Sequence, residues 1–192
     1  MISHQYRFIF VHAGRTGGSS LERMAGIEIT TDERTRDLGN TDFPEKHKNF
    51  QYFRSHYPKE FQAYFKFTLV RNPFDRLVSA WLWRTNVIKD ISPMPLSEFV
   101  LSRPDSTKYS EKFSLEGLTI QESISRFNFI GRFEELENAL FYLRESLNLP
   151  GSEIPHVNKT SNYKYQDYYD LAAIEAVRLK YSLDLELFGY DF

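Results

Sequence analysis

Two blocks of the chain are apolar at consecutive positions rather than at intervals, residues 6–12 (YRFIFVH) and 65–70 (FKFTLV). Runs of that length, rich in β-branched and aromatic side chains and bounded by turn residues, predict buried β-strands. A weaker block at 127–131 (FNFIG) predicts a third. Elsewhere the apolar positions recur at helical spacing. Leu77 with Trp81, and Val78 with Leu82, form one face of a helix predicted from Pro73 to about residue 86. Leu136, Leu140, Leu143 and Leu147 mark a second long helix, and Ile174, Val177 and Tyr181 a third, capped by Asp170. Shorter helices are predicted at 21–25, stopped by Gly26; at 58–64, with Pro58 in its first turn; at 96–101; and at 120–127. The last opens on Thr119 and Glu122, spaced as a capping box. Residues 50–55 fit strand and helix equally, 27–50 read as a short strand followed by loop, and 150–168 as loop. Strands alternating with helices predict an α/β domain of three layers around a mostly parallel sheet.

At 192 residues the chain suits one domain, spanning 1–192, with no repeat visible. Hydrophobic residues at 41% and charged residues at 26% exclude a disordered chain. A formal net charge of −2 argues against a duplex nucleic-acid partner. No apolar run approaches the ~18 residues of a membrane span, and the first residues lack the pattern of a signal peptide. The absence of cysteine excludes disulfides, thiol nucleophiles and Cys-ligated metal centres. Aromatic residues are abundant (Phe 17, Tyr 12, Trp 2), enough to wall a pocket as well as fill a core.

Two segments share one physical design, a buried strand, a short turn and a helix start, which is where open α/β sheets bind ligands and where exposed N–H groups favour an anion. The first is 8–21 (FIFVHAGRTGGSSL). Gly14, Gly17 and Gly18 allow the backbone to wrap a phosphate-sized group, Thr16, Ser19 and Ser20 add hydroxyls, and Arg15 adds a forked cation. Neither the Walker A spacing nor G-x-G-x-x-G is present, and a flexible hairpin or helix cap would use the same residues. The second is 67–81 (FTLVRNPFDRLVSAW), where Arg71 ends the strand and Ser79 lies about two turns along the helix. A structural ion pair at Arg71 and a packing role for Ser79 would fit equally.

Together the turns describe a ligand with two separate anionic groups, and at this point the sequence resembles the sulfotransferases of the carbohydrate type. The first turn is similar to their 5′-phosphosulfate loop and the second to their 3′-phosphate motif; FIGRFEEL at 129–136, HVNKTS at 156–161 and the chain end follow in order. The resemblance implies a three-layer, P-loop-like sulfotransferase fold and transfer of a sulfuryl group from 3′-phosphoadenosine 5′-phosphosulfate (PAPS) to a hydroxyl, releasing the bisphosphate PAP without a metal. It implies that Arg15, Thr16, Gly17, Gly18, Ser19 and Ser20 hold the 5′-phosphosulfate, that Arg71 and Ser79 bind the 3′-phosphate, and that Asn158 and Lys159 close over the donor. Arg15 stands where the family has lysine and Gly14 where it has proline, which bears on the rate of transfer more than on binding. His56 lies between the two turns, as does the catalytic histidine of uronyl and heparan 2-O-sulfotransferases, and is the expected base, with Arg15 the expected catalytic cation. His12 is expected to orient the loop, Glu134 and Glu135 to start a helix, and Trp81, Trp83 and the tyrosines of 163–169 to pack beneath the ligand or stack on it.

Two other functions use the same residues. A PAP- or PAPS-binding regulatory protein would tolerate Arg15. An ATP-dependent P-loop kinase would need a loop lysine and an acidic metal ligand, and neither is evident. The acceptor is expected to be a glycan or other small molecule. Lacking the membrane anchor and lumenal cysteines of animal relatives, the chain is expected to be soluble and cytoplasmic, of bacterial or viral origin.

Overall fold

A computed structural model describes residues 1–25, 47–150 and 163–192. In chain order its elements are β1 (Ile2–Ser3), β2 (Phe8–Phe10), α1 (Gly18–Met24), α2 (Phe50–His56), α3 (Pro58–Ala63), β3 (Phe65–Val70) and α4 (Pro73–Leu82). There follow a π-helical turn (Trp83–Ile88), α5 (Leu96–Ser102), a 3-10 turn (Asp105–Thr107), α6 (Tyr109–Phe113), α7 (Ile120–Ile124) and β4 (Phe129–Arg132). A second 3-10 turn (Phe133–Glu135) leads into α8 (Leu136–Leu147), and a third (Tyr165–Tyr168) precedes α9 (Leu171–Phe188).

Among the described residues the sheet has the order β1-β2-β3-β4. β2, β3 and β4 run parallel, with Phe10 opposite Phe67 and Leu69 opposite Gly131, and β1 joins the edge antiparallel. The alternation of side chains explains the layers. Phe8, Phe10, Phe67 and Leu69 point to one face, where Leu21 and Met24 of α1 and Leu140, Leu143 and Leu147 of α8 cover them. Ile9, Val11 and Val70 point to the other, against Phe50 and Phe53 of α2 and Tyr109 and Phe113 of α6. A third cluster joins α4, α5 and α9 through Phe74, Val78, Phe99, Val100 and Val177. The expected three-layer α/β architecture is therefore present.

Several local expectations are refined. Residues 50–55 are helical because Asn49 caps them, its side chain accepting from the Tyr52 N–H at 2.8 Å. The helix placed at 21–25 begins three residues earlier, at Gly18. The 120–127 helix ends at Ile124, with its capping box in place. The helix expected from Pro73 to about residue 86 is α-helical to Leu82 and then widens into the π turn. β1 and α6 were not anticipated, and the strand and loop expected within 27–46 lie outside the described residues.

The parallel pairing of β2 with β3 puts their carboxyl ends side by side. The two strand-to-helix turns thus open at one mouth.

Candidate active site

The first turn leaves β2 through Val11, His12 and Ala13. Its shape is fixed from below by Thr16, a buried residue whose hydroxyl donates to the Ala13 carbonyl at 2.7 Å. Gly17 adopts φ +88°, and a methyl group there would also stand 2.9 Å from Leu136 Cδ1. Gly18 lies flat on the His12 imidazole, which a Cβ would overlap. His12 is itself buried, stacked between Phe10 and His47 with ring centroids 5.2 and 5.0 Å away. The histidine therefore supports the loop. α1 starts at Gly18, and the Ser20 and Leu21 N–H groups donate back to the Gly17 carbonyl at 3.0 and 3.4 Å, which leaves the N–H groups before Ser20 at the opening of the turn. Ser20 is buried and Ser19 half-buried beside them.

The second turn leaves β3 at Arg71. The buried Tyr109 hydroxyl clamps it, accepting from the Arg71 N–H at 2.8 Å and donating to the Arg71 carbonyl at 2.9 Å. Burial pushes that phenol up to about 12, so it stays protonated. Asn72 caps α4 by accepting from the Phe74 N–H, and its own N–H donates to Glu134 Oε1 at 2.7 Å. Glu134 also accepts from the Tyr190 hydroxyl at 2.9 Å. This acid therefore ties α4 to the chain end, beyond the helix-start role expected for it.

Arg71 is 5% exposed and lies over the Phe133 ring at 4.1 Å. Its Nε and Nη2 donate to both oxygens of Asp75, at 2.8 and 2.7 Å. Nη2 also donates to the Tyr163 hydroxyl at 3.0 Å, and Nη1 to the Arg15 carbonyl at 3.2 Å. The structural ion pair is real, yet it does not withdraw Arg71 from the mouth, because the same guanidinium grips the glycine turn. Across the gap, Arg15 Nε donates to Ser79 Oγ at 3.1 Å. Arg15 holds a left-handed backbone (φ 67°) and lies 5.3 Å from the Trp83 ring. Arg15, Arg71 and Ser79, drawn from two distant segments, form one cluster.

Not every expected residue joins it. His56 ends α2, exposed to solvent, its ring stacked on Tyr52 at 4.0 Å and its Nδ1 3.0 Å from the Tyr52 carbonyl oxygen. The adjoining Tyr57 meets His4, and His4 meets Tyr64, which precedes β3. That is the amino end of the strand, whereas Arg71 follows its carboxyl end. The structure thus groups His56 with the far edge of the sheet, because the segment carrying α2 runs from His47 at the mouth down to Tyr57. Asn158 and Lys159 lie outside the described residues.

The sequence does not mark Asp75 or Tyr109 as residues of the mouth, and it offers Tyr163 only as a ring beneath or against the ligand, not as a hydroxyl bonded to Arg71. Asp75 was legible as a partner of Arg71, standing four residues after it across the start of a helix. Tyr109 and Tyr163 were not, since their roles depend on elements 38 and 92 residues from Arg71 meeting it in space. Trp81, Tyr165 and Tyr169 meet other parts of the protein, while Tyr168 is exposed. The Trp81 Nε1–H donates to the Met94 carbonyl, and Tyr165 and Tyr169 meet Phe192.

Among the described residues no three His, Asp or Glu side chains gather as a metal site, and no helix is long and apolar enough to cross a membrane. No curated protein and no solved structure matches the chain. A family model does, and it spans residues 1–191. With two strand-to-helix turns meeting at one mouth of an α/β fold and a match over nearly its whole length, the chain belongs to the sulfotransferase family.

Proposed function

We propose that this protein transfers the sulfuryl group of PAPS to a hydroxyl of a carbohydrate or other small acceptor. The observation that carries the reading is the hydrogen bond from Arg15 to Ser79, which joins the glycine turn to the α4 turn. A donor with a phosphosulfate at one end and a phosphate at the other needs two anion sites held at fixed separation by rigid strand ends. PAPS would supply an activated S–O bond: the bond from sulfur to the phosphate oxygen breaks as the bond to the acceptor oxygen forms, PAP leaves with the electron pair, and the acceptor proton passes to solvent.

In this reading the N–H groups and hydroxyls of Thr16, Gly17, Gly18, Ser19 and Ser20 hold the phosphosulfate. Arg71 and Ser79 hold the 3′-phosphate, and Asn158 and Lys159 belong to the segment that completes the donor site. Arg15 stands between both ends as the fixed cation for charge developing on the departing phosphate. Stabilising that charge outweighs help from a base when bond breaking leads, as in related phosphoryl transfers. His56 has no part in this arrangement.

A second reading is favoured by one feature. Arg15 is held by Ser79 and Trp83, which suits a PAP-binding regulatory protein as well as an enzyme. Incubation with 35S-labelled PAPS and a panel of glycan and small hydroxylated acceptors separates the two. Transfer of label to an acceptor, with none of phosphate from ATP and magnesium, is the expected result. Tight PAP binding with no transfer to any acceptor would favour the regulatory protein.

A further inference from the structure

The Tyr163 hydroxyl is the busiest atom of the mouth. It accepts from Arg71 Nη2 at 3.0 Å, donates to Asp75 Oδ1 at 2.9 Å, and has the Ser79 hydroxyl near enough to act on it. Two of its three neighbours are the residues assigned to the 3′-phosphate. Burial raises the phenol above its ordinary value, so it is a donor at neutral pH.

Arg71 carries five N–H donors. Its hydrogen bonds to Asp75, Tyr163 and the Arg15 carbonyl use four of them. Among the described residues only one, on Nη1, lacks an acceptor. A phosphate arriving beside Ser79 therefore does not meet an open guanidinium fork. It meets one N–H, the Ser79 hydroxyl and, on the same side, a phenol whose proton turns about a single bond. Asp75 itself repels a second anion. A neutral hydroxyl placed between that carboxylate and the incoming charge is the group able to change partner without leaving its position.

We propose that the Tyr163 hydroxyl is a third ligand of the 3′-phosphate, giving up Asp75 as its acceptor when the phosphate enters. This rests on the PAPS reading above. A nucleotide without a 3′-phosphate leaves Arg71, Asp75 and Tyr163 bonded to one another and gains nothing from them. Tyr163 is thus a specificity residue: it rewards the 3′-phosphate and is indifferent to the rest of the donor.

The test is calorimetric titration of the wild type and Tyr163→Phe with PAP and with adenosine 5′-phosphate, which lacks only the 3′-phosphate. The ring of Phe keeps the packing, and affinity for adenosine 5′-phosphate reports whether the site is intact. The expected result is PAP binding about tenfold weaker in Tyr163→Phe, as for a lost hydrogen bond to a charged group, with the 5′-phosphate nucleotide bound within twofold of wild type. Unchanged PAP affinity, or an equal loss for both nucleotides, would overturn the proposal and leave the PAPS reading standing. Wild-type protein with no preference for PAP would overturn both.

Discussion

Arg71 and Ser79 make different demands on their chemistry. Arg71 satisfies Asp75 through two parallel hydrogen bonds, and a lysine offers no such fork. Arg71→Lys is expected to weaken PAP binding at least tenfold and also lower the melting temperature, since Asp75 and the Arg15 carbonyl lose partners together. Ser79→Ala removes one hydroxyl from a well-packed helix, and is expected to weaken PAP binding about tenfold with the melting temperature unchanged. Calorimetry beside thermal melts separates the two behaviours. His56→Ala carries the opposite expectation: with its ring on Tyr52 and away from the mouth, turnover of labelled PAPS should stay within about twofold of wild type. A loss of a hundredfold, the scale of a missing general base, would restore the histidine to the site. That Arg71 and Ser79 meet the glycine turn was legible because they sit at fixed offsets along one strand and helix. The placing of His56 was not, because sequence order between two turns does not say at which end of an intervening helix a side chain falls.

The glycine turn is the element whose conformation depends most closely on missing side chains. Helix propensity argues against starting α1 at Gly18, and the glycine- and serine-rich run before Leu21 reads as loop. Packing overrides propensity here, because any Cβ at that position collides with the His12 ring. Gly18→Ala is therefore expected to cost about 2 kcal/mol, lowering the melting temperature by roughly 5 °C, and to remove PAP binding. At Gly14, where the family has proline, a methyl group would meet nothing within 4 Å. Gly14→Ala should leave both stability and PAP affinity near wild type. Equal damage from the two substitutions would mean that the turn is shaped by something other than the His12 contact. Long elements with strong periodicity, α8 above all, were legible in full, whereas α6 was missed because five residues span too little of a helix to display a period.

In the molecule as a whole, the parallel sheet and its helical layers follow from alternating strand and helix blocks, and among the described strands the two-residue edge strand β1 is too short to signal itself. Burial also gives the whole fold a pH dependence at alkaline values. Lys112, half-buried with its Nζ 2.8 Å from the His47 carbonyl, is drawn down to about 8 by burial and by nearby Arg76, and burial also lowers Lys66. Between about pH 8 and pH 10 the unfolded chain keeps protons that folded Lys112 has released, so stability rises with pH. Above about pH 10 the unfolded tyrosines ionise first, while Tyr109 holds its proton to about 12 and Tyr169 and Tyr190 are also raised, so stability falls. Thermal melts should pass through a maximum near pH 10, and Lys112→Met should flatten the rising limb. A melting temperature that falls steadily from pH 8 would contradict the burial of that amine.

If two neighbouring strand ends hold the two charged ends of a single nucleotide, a crystal structure of the protein grown with PAP will show both contacts at once. The 3′-phosphate is expected against Ser79 and the Arg71–Tyr163 pair, and the 5′-phosphate on the N–H groups from Gly17 to Ser19. PAP bound with either phosphate outside those two turns, or with only one turn occupied, would contradict the assignment.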